Sequence, residues 1–435
     1  MPTVGDIDEA RAVVSRIAHH TPLLSSRQLS DLTGATVLMK AENLQRTGSF
    51  KVRGAMNKLA SLTSEERTRG VIAASAGNHA QGVALAAREL GLPCTVVMPE
   101  AASLAKVQAT RGYGARVLLH GDTFEDALRH AQQLGRDQRL AFIHAFDDPR
   151  VIAGQGTLGL EVLEDAGNPD TVLVPVGGGG LIAGVALVVK ERSPRTRVVG
   201  VQAEAAPAAV RSFQAGRRLR APEEATLADG IALAQPGKLP FEIMSRCVDD
   251  MVAVSEEAIA HAQVLLLERG KLLVEGAGAV GLAALLEGKV PRPGTTVVVL
   301  SGGNVDLNLV ERILEHGLAE AGRYLSWEFV LLDRPGRLSR LLAVLADVGV
   351  NVLEVVHQRQ GAPLPVGQVL VQVTGETRDP AHASQVEAAL TGAGYRPATA
   401  SGRGGHGVPR FVDGETVRKP RRVEPKSGEG SRERV

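Results

Sequence analysis

The alternation of short apolar segments with helical segments is the feature of this sequence that most constrains its fold. Helical patterns follow each of the strands predicted at 71–75, 94–99, 116–120, 141–146 and 171–176. Near-continuous runs of Val, Ile and Ala predict strands buried on both faces, and their alternation with helices predicts mostly parallel sheets. Residues 1–322 are therefore expected to form an α/β domain, with further strands at 197–203 and 295–301.

The pattern changes near residue 324. Residues 323–395 are predicted to form a separate α+β domain with the order β-α-β-β-α, a split βαβ arrangement. Residues 396–435 lose all periodicity and are rich in Gly, Pro, Arg and Ser, which predicts a disordered tail. This tail holds ten basic and five acidic residues, so its net charge is clearly positive, although the whole chain has a net charge of only +1.

Composition and targeting signals exclude several classes of protein. A net charge of +1 and an aromatic content of 3% argue against a nucleic-acid partner. The two cysteines, Cys94 and Cys247, lie far apart and form no CxxC pair, which fits a reducing cytoplasm and argues against a structural zinc site. The N-terminus does not have the pattern of a signal peptide. The uncharged stretch 171–189 contains Pro175 and five glycines and is interpreted as a strand and a helix, so no membrane partner is expected.

Four consecutive glycines between a predicted strand and a predicted helix form a candidate phosphate site. They are Gly177, Gly178, Gly179 and Gly180. Glycine backbone amides can surround a phosphate, and a helix N-terminus adds a favourable dipole. A tight turn without a ligand is the alternative. The loose pattern GxGxxA, with Glu204 as a ribose-binding acid, also leaves a dinucleotide-dependent oxidoreductase open, whereas no Lys-Ser/Thr pair follows to make a Walker motif.

Lys51 is the candidate nucleophile. Its apolar neighbours Phe50 and Val52 suggest a desolvated lysine, which loses its proton more easily and can form a Schiff base. Because most lysines are exposed, a solvated lysine at the start of a helix stays open as the alternative.

Two further motifs follow predicted strands. The turn Ser75-Ala76-Gly77-Asn78-His79 lies where open α/β sheets bind ligands, and its free amides suit a carboxylate. His79 has no Ser or Cys partner in the pattern and is interpreted as structural. The segment Ser301-Gly302-Gly303-Asn304 indicates a strand-to-helix turn.

Taken together, the motifs SFKVRGA, SAGNHAQG, GGGG and SGGN resemble the fold type II pyridoxal-phosphate enzymes. Within that family the chain resembles the threonine ammonia-lyase and serine racemase branch, most specifically through ENLQRTGSFKVRGA at 42–55. The resemblance covers about 1–320. It implies two open parallel-sheet subdomains, the smaller and mobile one at about 52–148, in a homodimer or homotetramer.

The resemblance also implies residue roles. Lys51 would carry pyridoxal 5'-phosphate as a Schiff base and take the substrate's Cα proton. The residues expected to bind the cofactor are Phe50, Lys51, Asn78, Gly177, Gly178, Gly179, Gly180, Glu275 and Ser301. Those expected to bind the substrate carboxylate are Ser75, Ala76, Gly77, Asn78 and His79. Ser301 would face the pyridine nitrogen, and its neutral hydroxyl would favour prompt loss of the substrate's β-hydroxyl.

Two departures from the family pattern narrow the expected activity. Racemase-like sequences have a serine where this chain has Ala76, and elimination needs only one base, so an ammonia-lyase is favoured. Too few oxygen ligands line up at 202–208 for the divalent metal of the racemase branch, and no metal is expected. The expected reaction converts L-threonine to 2-oxobutanoate and ammonia, with L-serine as a lesser substrate. The alternatives are a serine ammonia-lyase, a serine racemase and a 3-hydroxyaspartate dehydratase.

Residues 324–395 resemble an ACT domain, a small regulatory module that binds amino acids. The segment DRPGRLSRLLAVLADVGVNVLEVVH carries this resemblance. It implies an effector site lined by Gly336 and Asn351, for isoleucine or valine. An oligomerisation module without an effector is the alternative, because a shared fold does not fix function.

Overall fold

A computed structural model describes residues 1–222, 224–320, 322–359, 364–397 and 410–413. The chain divides into two units, Met1–Ile313 and Leu314–Val435. This division falls inside the helix Leu307–Glu320 and not at residue 322. Helices and strands are numbered below in chain order.

The first unit contains a six-stranded sheet. Its strands are β1 (Leu23–Ser25), β2 (Thr36–Ala41), β7 (Thr171–Pro175), β8 (Arg197–Ala203), β9 (Asp250–Val254) and β10 (Thr295–Leu300), in the order β1-β2-β10-β7-β8-β9. Only β1 is antiparallel to its neighbour. Strand β7 is buried throughout and β8 and β10 are buried except at their first residues, as their continuous apolar sequences predict.

The first unit also contains a four-stranded sheet. Its strands are β3 (Val71–Ala74), β4 (Cys94–Met98), β5 (Arg116–Leu119) and β6 (Ala141–Phe142), in the order β5-β4-β3-β6 and all parallel. The prediction of an α/β fold with mostly parallel sheets is therefore confirmed. Strand β6 is shorter than the predicted 141–146 because His144 turns the chain: its Nδ1 accepts the N–H groups of Phe146 and Asp147 at 3.3 and 2.9 Å.

Fourteen α-helices are described from the N-terminus to the division between the units. They are α1 (Val4–Val14), α2 (Arg27–Thr33), α3 (Lys51–Ala60), α4 (Ser64–Arg69), α5 (Asn78–Glu89), α6 (Leu104–Gly112), α7 (Phe124–Gln138), α8 (Pro149–Ala166), α9 (Gly180–Arg192), α10 (Ala208–Gln214), α11 (Lys238–Cys247), α12 (Glu256–Glu268), α13 (Gly276–Leu286) and α14 (Leu307–Glu320). Short 3-10 turns occupy Glu42–Leu44 and Asp229–Ile231. No helix in the described ranges is long and apolar enough to cross a membrane.

The second unit has the order β-α-β-β-α that its sequence predicts. Its elements are β11 (Tyr324–Leu332), α15 (Arg337–Asp347), β12 (Asn351–Gln358), β13 (Gln368–Glu376), α16 (Pro380–Gly392), β14 (Tyr395–Pro397) and β15 (Arg410–Asp413). The strands form one sheet in the order β12-β13-β11-β15-β14. Trp327 and Phe329 on the central strand are fully buried in its core.

The expectation of a tail without structure over 396–435 is wrong at 396–397 and 410–413. Strand β15 pairs in parallel with β11 and antiparallel with β14. Phe411 explains this pairing, because its ring stacks on Phe329 with centroids 5.6 Å apart and only 3% of the residue is exposed. Burying an aromatic ring offsets the entropy of ordering a glycine-rich chain. The remaining positions of the predicted tail lie outside the described residues.

A buried network of charges joins three elements of the first unit. Arg53 on α3 contacts Glu42, which follows β2, at 2.7 Å and Glu161 on α8 at 2.6 Å. The Nζ of Lys40, on β2, lies 2.9 Å from the same Glu161. The side chains of Arg53 and Glu42 are 1% and 0% exposed. Burial acts to raise the pKa of Glu42, but the charge and hydrogen bonds of Arg53 outweigh it, and the pKa lies below its ordinary value.

We expect Arg53→Met to destabilise the protein by about 3–5 kcal/mol, because it leaves buried carboxylates without their partner. The measurement is the free energy of unfolding in urea. Arg192→Met is the matched control: Arg192 pairs with Asp8 at 2.6 Å, but both side chains are more than 40% exposed. Its loss should stay below about 1 kcal/mol. Equal losses of unfolding free energy in the two variants would show that the burial of the charges does not cause the destabilisation.

Candidate active site

Residues from distant parts of the sequence meet at one cavity of the first unit. The space between protein atoms there is about 530 Å³, which includes space open to solvent. All nine residues predicted to bind a cofactor line it, namely Phe50, Lys51, Asn78, Gly177, Gly178, Gly179, Gly180, Glu275 and Ser301. They come from the turns after β3, β7 and β10 and from the first turns of α3 and α13. Carboxyl ends of parallel strands are where α/β proteins bind ligands.

Lys51 begins α3 and supplies the amine of the cavity. Its Nζ lies 5.0 Å from the centre of the Phe50 ring. Burial lowers the pKa of Lys51 to about 8, and the opposing effect of the Glu275 charge is smaller. An appreciable fraction of Lys51 is therefore a neutral amine near neutral pH, which is the nucleophilic form.

The four glycines connect β7 to the N-terminus of α9. Gly179 has a φ of +89°, a left-handed conformation that favours glycine. A Cβ atom on Gly178 would lie 2.3 Å from the Cγ atom of Phe146, so this position has no room for a side chain. The turn leads into the N-terminus of a 13-residue helix, where backbone amides and the helix dipole suit an anion such as a phosphate.

Asn78 and Glu275 form a hydrogen-bonded pair in the cavity wall. The Nδ2 of Asn78 donates to both carboxylate oxygens of Glu275, at 2.8 and 3.0 Å. Burial raises the pKa of Glu275 to about 7, the nearby Asp229 adds to this rise, and the bond from Asn78 opposes it.

Ser301 holds the lysine-bearing segment against the large sheet. The N–H of Phe50 donates to the backbone oxygen of Ser301 at 3.1 Å, and Ser49 and Gly302 form an antiparallel bridge. The position of Lys51 is therefore fixed by the end of β10. Ser301 is 2% exposed and lines the cavity with a neutral side chain.

The predicted substrate turn lies directly before Asn78. Ser75, Ala76 and Gly77 are half-buried and do not line the cavity themselves, and the N–H of Gly77 donates to the Ser75 hydroxyl at 3.1 Å. His79 is buried, and its Nε2 donates to the backbone oxygen of Ile143 at 3.0 Å. Burial, with a smaller contribution from the Lys51 charge, lowers the pKa of His79 to about 3, so its ring is neutral. Its side chain therefore serves the fold, and its backbone amide is left for the predicted role.

Several cavity residues were not predicted from the sequence. They are Ala145, Phe146, Gln155, Pro175, Leu181, Gly230, Ile231, Leu233 and Ala277. Ala145 and Phe146 follow β6, so the rule that ligands bind at carboxyl ends of parallel strands could have found them. Gly230, Ile231 and Leu233 lie in a long connection whose sequence has no periodic pattern to place it.

The alternative of a dinucleotide site required Glu204 as its ribose-binding acid, and the structure does not place Glu204 at the cavity. Glu204 does not line the cavity; its carboxylate pairs with Lys289 at 2.7 Å and is 54% exposed. Residues 202–208 are the segment at which the sequence predicts no metal site. There the side-chain oxygen of Gln202 accepts hydrogen bonds from the N–H groups of Ala209 and Val210, at 3.0 and 3.2 Å. Within the described residues, no group of three or more His, Cys, Asp or Glu side chains could hold a metal ion.

The cavity defines a class of protein. A desolvated lysine amine suits a carbonyl group, the glycine cradle suits a phosphate, and the amide of Asn78 suits an oxygen between them. These groups fit a phosphorylated aldehyde held on Lys51, which is the arrangement of a lysine-anchored cofactor enzyme.

Comparison with known proteins identifies the family. The sequence profile of the family described as "Pyridoxal-phosphate dependent enzyme" matches residues 14–302. This chain belongs to that family, and its cofactor is pyridoxal phosphate. It is 48% identical over 395 residues to the L-threonine ammonia-lyase of Thermotoga maritima, covering 91% of this chain and 98% of that protein.

Two solved structures are similar to this chain. The processed form of threonine deaminase isoform 2 from Solanum lycopersicum is 37% identical with a TM-score of 0.69, and the match covers 72% of this chain and 90% of that one. A maize serine racemase is 34% identical with a TM-score of 0.69, and the match covers 73% of this chain and 98% of that one. The fold is thus shared by a threonine deaminase and a serine racemase, and side chains must decide between the two.

We expect the apoprotein to capture pyridoxal phosphate faster as the pH rises, with the rate levelling off above about pH 8. The reason is that only the neutral Lys51 amine attacks, and its pKa is lowered to about 8 from 10.5. Stopped-flow absorbance measures the rate. Lys51→Ala should abolish the absorption band of the lysine-bound cofactor. Lys58→Ala, on the same helix but paired with Asp148 at 2.8 Å, should retain it. A rate that keeps rising to pH 10 would contradict the lowered pKa.

Proposed function

We propose that this protein is a threonine ammonia-lyase, which converts L-threonine to 2-oxobutanoate and ammonia. The observation that carries the proposal is the cavity in which the Lys51 amine and the four glycines at 177–180 lie together. Support comes from the 48% identity to an L-threonine ammonia-lyase over 91% of the chain.

Lys51 performs two tasks in this proposal. Its neutral amine would hold the cofactor through the aldehyde group, and the substrate's own amine would take over that position. When bound, pyridoxal phosphate supplies an electron sink for the electrons of the substrate's Cα–H bond. The released Nζ of Lys51 then accepts the Cα proton, since an amine with a pKa of about 8 exchanges protons readily near neutral pH.

The other cavity residues would orient the cofactor and leave its ring nitrogen without a charged partner. The amides of residues 177–180 would hold the cofactor phosphate at the start of α9. Asn78 would bind the oxygen of the cofactor ring, and Phe50 would flank the ring. Ser301, which lines the cavity, would place a hydroxyl and no charge beside the ring nitrogen. A neutral partner does not keep that nitrogen protonated, which favours rapid loss of the substrate's β-hydroxyl over long-lived charge on Cα.

Two features favour threonine elimination over the alternatives. Ala76, in the turn proposed to bind the substrate carboxylate, has no group that transfers a proton, whereas racemisation needs an acid or base on each face of the substrate. The side chains of Phe146 and Leu233 give the cavity apolar surface. Apolar contact favours threonine over serine, because threonine carries one more methyl group.

The test compares initial rates of the full-length enzyme on L-threonine, L-serine and L-threo-3-hydroxyaspartate, followed as 2-oxo acid and ammonia. We expect kcat/KM for threonine to exceed that for serine by about tenfold, the usual effect of one methyl group in an apolar pocket. L-Serine should give no D-serine, and Lys51→Ala should be inactive on all three. Faster reaction of serine or hydroxyaspartate would favour those activities instead. D-Serine formation would contradict the role given to Ala76.

We further propose that the second unit is an ACT-like regulatory domain that binds isoleucine or valine. Support comes from its β-α-β-β-α order and from the aligned 395 residues of the Thermotoga maritima relative, which exceed the length of the first unit. Gly336, with a φ of +84°, immediately precedes α15, and Asn351 begins β12; both are exposed. We propose a cytoplasmic homodimer or homotetramer, as the family resemblance implies.

We expect isoleucine or valine to change the rate of threonine turnover in the full-length protein. Asn351→Ala should raise the effector concentration for half-maximal response about tenfold, the usual effect of losing one hydrogen bond to a charged group. Glu354→Ala, an exposed residue on the same strand, is the control and should not shift it. A wild-type rate that neither amino acid alters would refute the effector site.

A further inference from the structure

Asn304, the last residue of the turn after β10, joins two parts of the active site and does not itself line the cavity. Its Nδ2 donates to the backbone oxygen of Thr47 at 2.7 Å and to the Oδ1 of Asn78, also at 2.7 Å. A side-chain amide has two N–H groups, so these two bonds use both of them. Both N–H groups of Asn304 therefore bond to protein groups, one in the lysine-bearing segment and one in Asn78.

The direction of these hydrogen bonds is fixed at one end by Thr47. A backbone carbonyl only accepts, so the NH₂ group of Asn304 must face it. The same NH₂ group then makes Oδ1 the atom of Asn78 that faces Asn304. The orientation of the Asn304 amide thus determines the orientation of the Asn78 amide.

The direction is fixed at the other end by Glu275. The Nδ2 of Asn78 donates to its two carboxylate oxygens at 2.8 and 3.0 Å, and the N–H of Glu275 donates to the backbone oxygen of Gly302 at 3.0 Å. Rotating the Asn78 amide by half a turn would place its oxygen against the Glu275 carboxylate and its NH₂ group against that of Asn304. Both contacts would be repulsive, so only one orientation of Asn78 is favourable.

We infer that Asn304 is a positioning residue: it holds the Oδ1 of Asn78, so that the NH₂ group of Asn78 acts as a hydrogen-bond donor toward an oxygen of the bound cofactor. One N–H of this group, shared between the two carboxylate oxygens of Glu275, can make both contacts with Glu275, which leaves the second N–H for the cofactor. This inference rests on the proposed function, because the role of Asn78 depends on the cofactor. Without Asn304 the Oδ1 of Asn78 loses its hydrogen-bond donor, and the amide can turn this oxygen toward the cavity. An electron-rich cofactor oxygen would then meet an acceptor in place of a donor.

The test is a double-mutant cycle on the holoenzyme at pH 8, above the pKa of about 7 that burial and Asp229 give Glu275. The variants are Asn304→Asp, Asn78→Ala and the combination of the two. The readouts are the absorption maximum of the bound cofactor, its dissociation constant, and the separate values of kcat and KM for threonine. Asp has the shape of Asn but no N–H donor at neutral pH, so it removes the polarity while keeping the size.

We expect Asn304→Asp to shift the absorption maximum in the same direction as Asn78→Ala and to weaken cofactor binding about tenfold, the usual effect of one lost hydrogen bond. In the Asn78→Ala background the same change should produce no further spectral shift. The fall in threonine turnover should lie in kcat and not in KM, because Asn304 is not expected to touch the substrate. Additive shifts, or no shift from Asn304→Asp, would overturn the inference.

A second substitution keeps the inference testable if Asn304→Asp does not retain the cofactor. Asn304→Ala removes the donor without adding a charge and can complete the same cycle, with a smaller shift of the same sign. A wild-type protein without the band of the lysine-bound cofactor would contradict the proposed function itself. A wild-type band with additive shifts in the cycle would contradict only the role of Asn304.

Discussion

The buried charges around Arg53 determine where the reactive lysine can lie. Arg53 is two residues from Lys51 on the same helix, and it contacts Glu42 at the end of β2 and Glu161 on α8. Removing one partner from a buried ion pair costs several kcal/mol, because the other charge is left without compensation. An alternative placement of α3 would leave such a charge unpaired. The network thus contributes more to a unique position for Lys51 than to net stability.

Burial in the cavity acts on its amine and its carboxyl group in opposite directions, and both effects favour neutral groups. It lowers the pKa of Lys51 to about 8 and raises the pKa of Glu275 to about 7. The negative charge of Glu275 weakly stabilises the protonated form of Lys51, and the positive charge of Lys51 weakly stabilises the ionised form of Glu275. The result is a lysine and a carboxyl group that both titrate near neutral pH. Such a lysine can act first as a nucleophile and then as a base.

The sequence predicts the parts of the site that have local patterns. Glycines between a strand and a helix need no tertiary knowledge to be recognised as a phosphate cradle, and parallel strands place turns at one edge of a sheet. Ile231 and Leu233 could not be identified as site residues, because an apolar residue in a connection has the same pattern in a core and in a cavity. Phe411 was missed for a related reason: its burial depends on Phe329, more than eighty positions earlier, and not on its glycine-rich neighbours.

Three of the four motifs, namely the lysine-bearing segment and the turns after β3 and β10, are joined to one another by hydrogen bonds between protein groups. The Gly303 N–H donates to the Gly48 oxygen at 2.8 Å, Asn304 joins Thr47 to Asn78, and Glu275 joins Asn78 to Gly302. Replacing Asn78, Glu275 or Asn304 by an apolar residue leaves a polar group in another motif without its partner, which is unfavourable in a buried site. Segments that depend on each other in this way constrain one another's sequences. This is the physical reason that short motifs from separate parts of the chain, taken together, identify the site better than any one of them does alone.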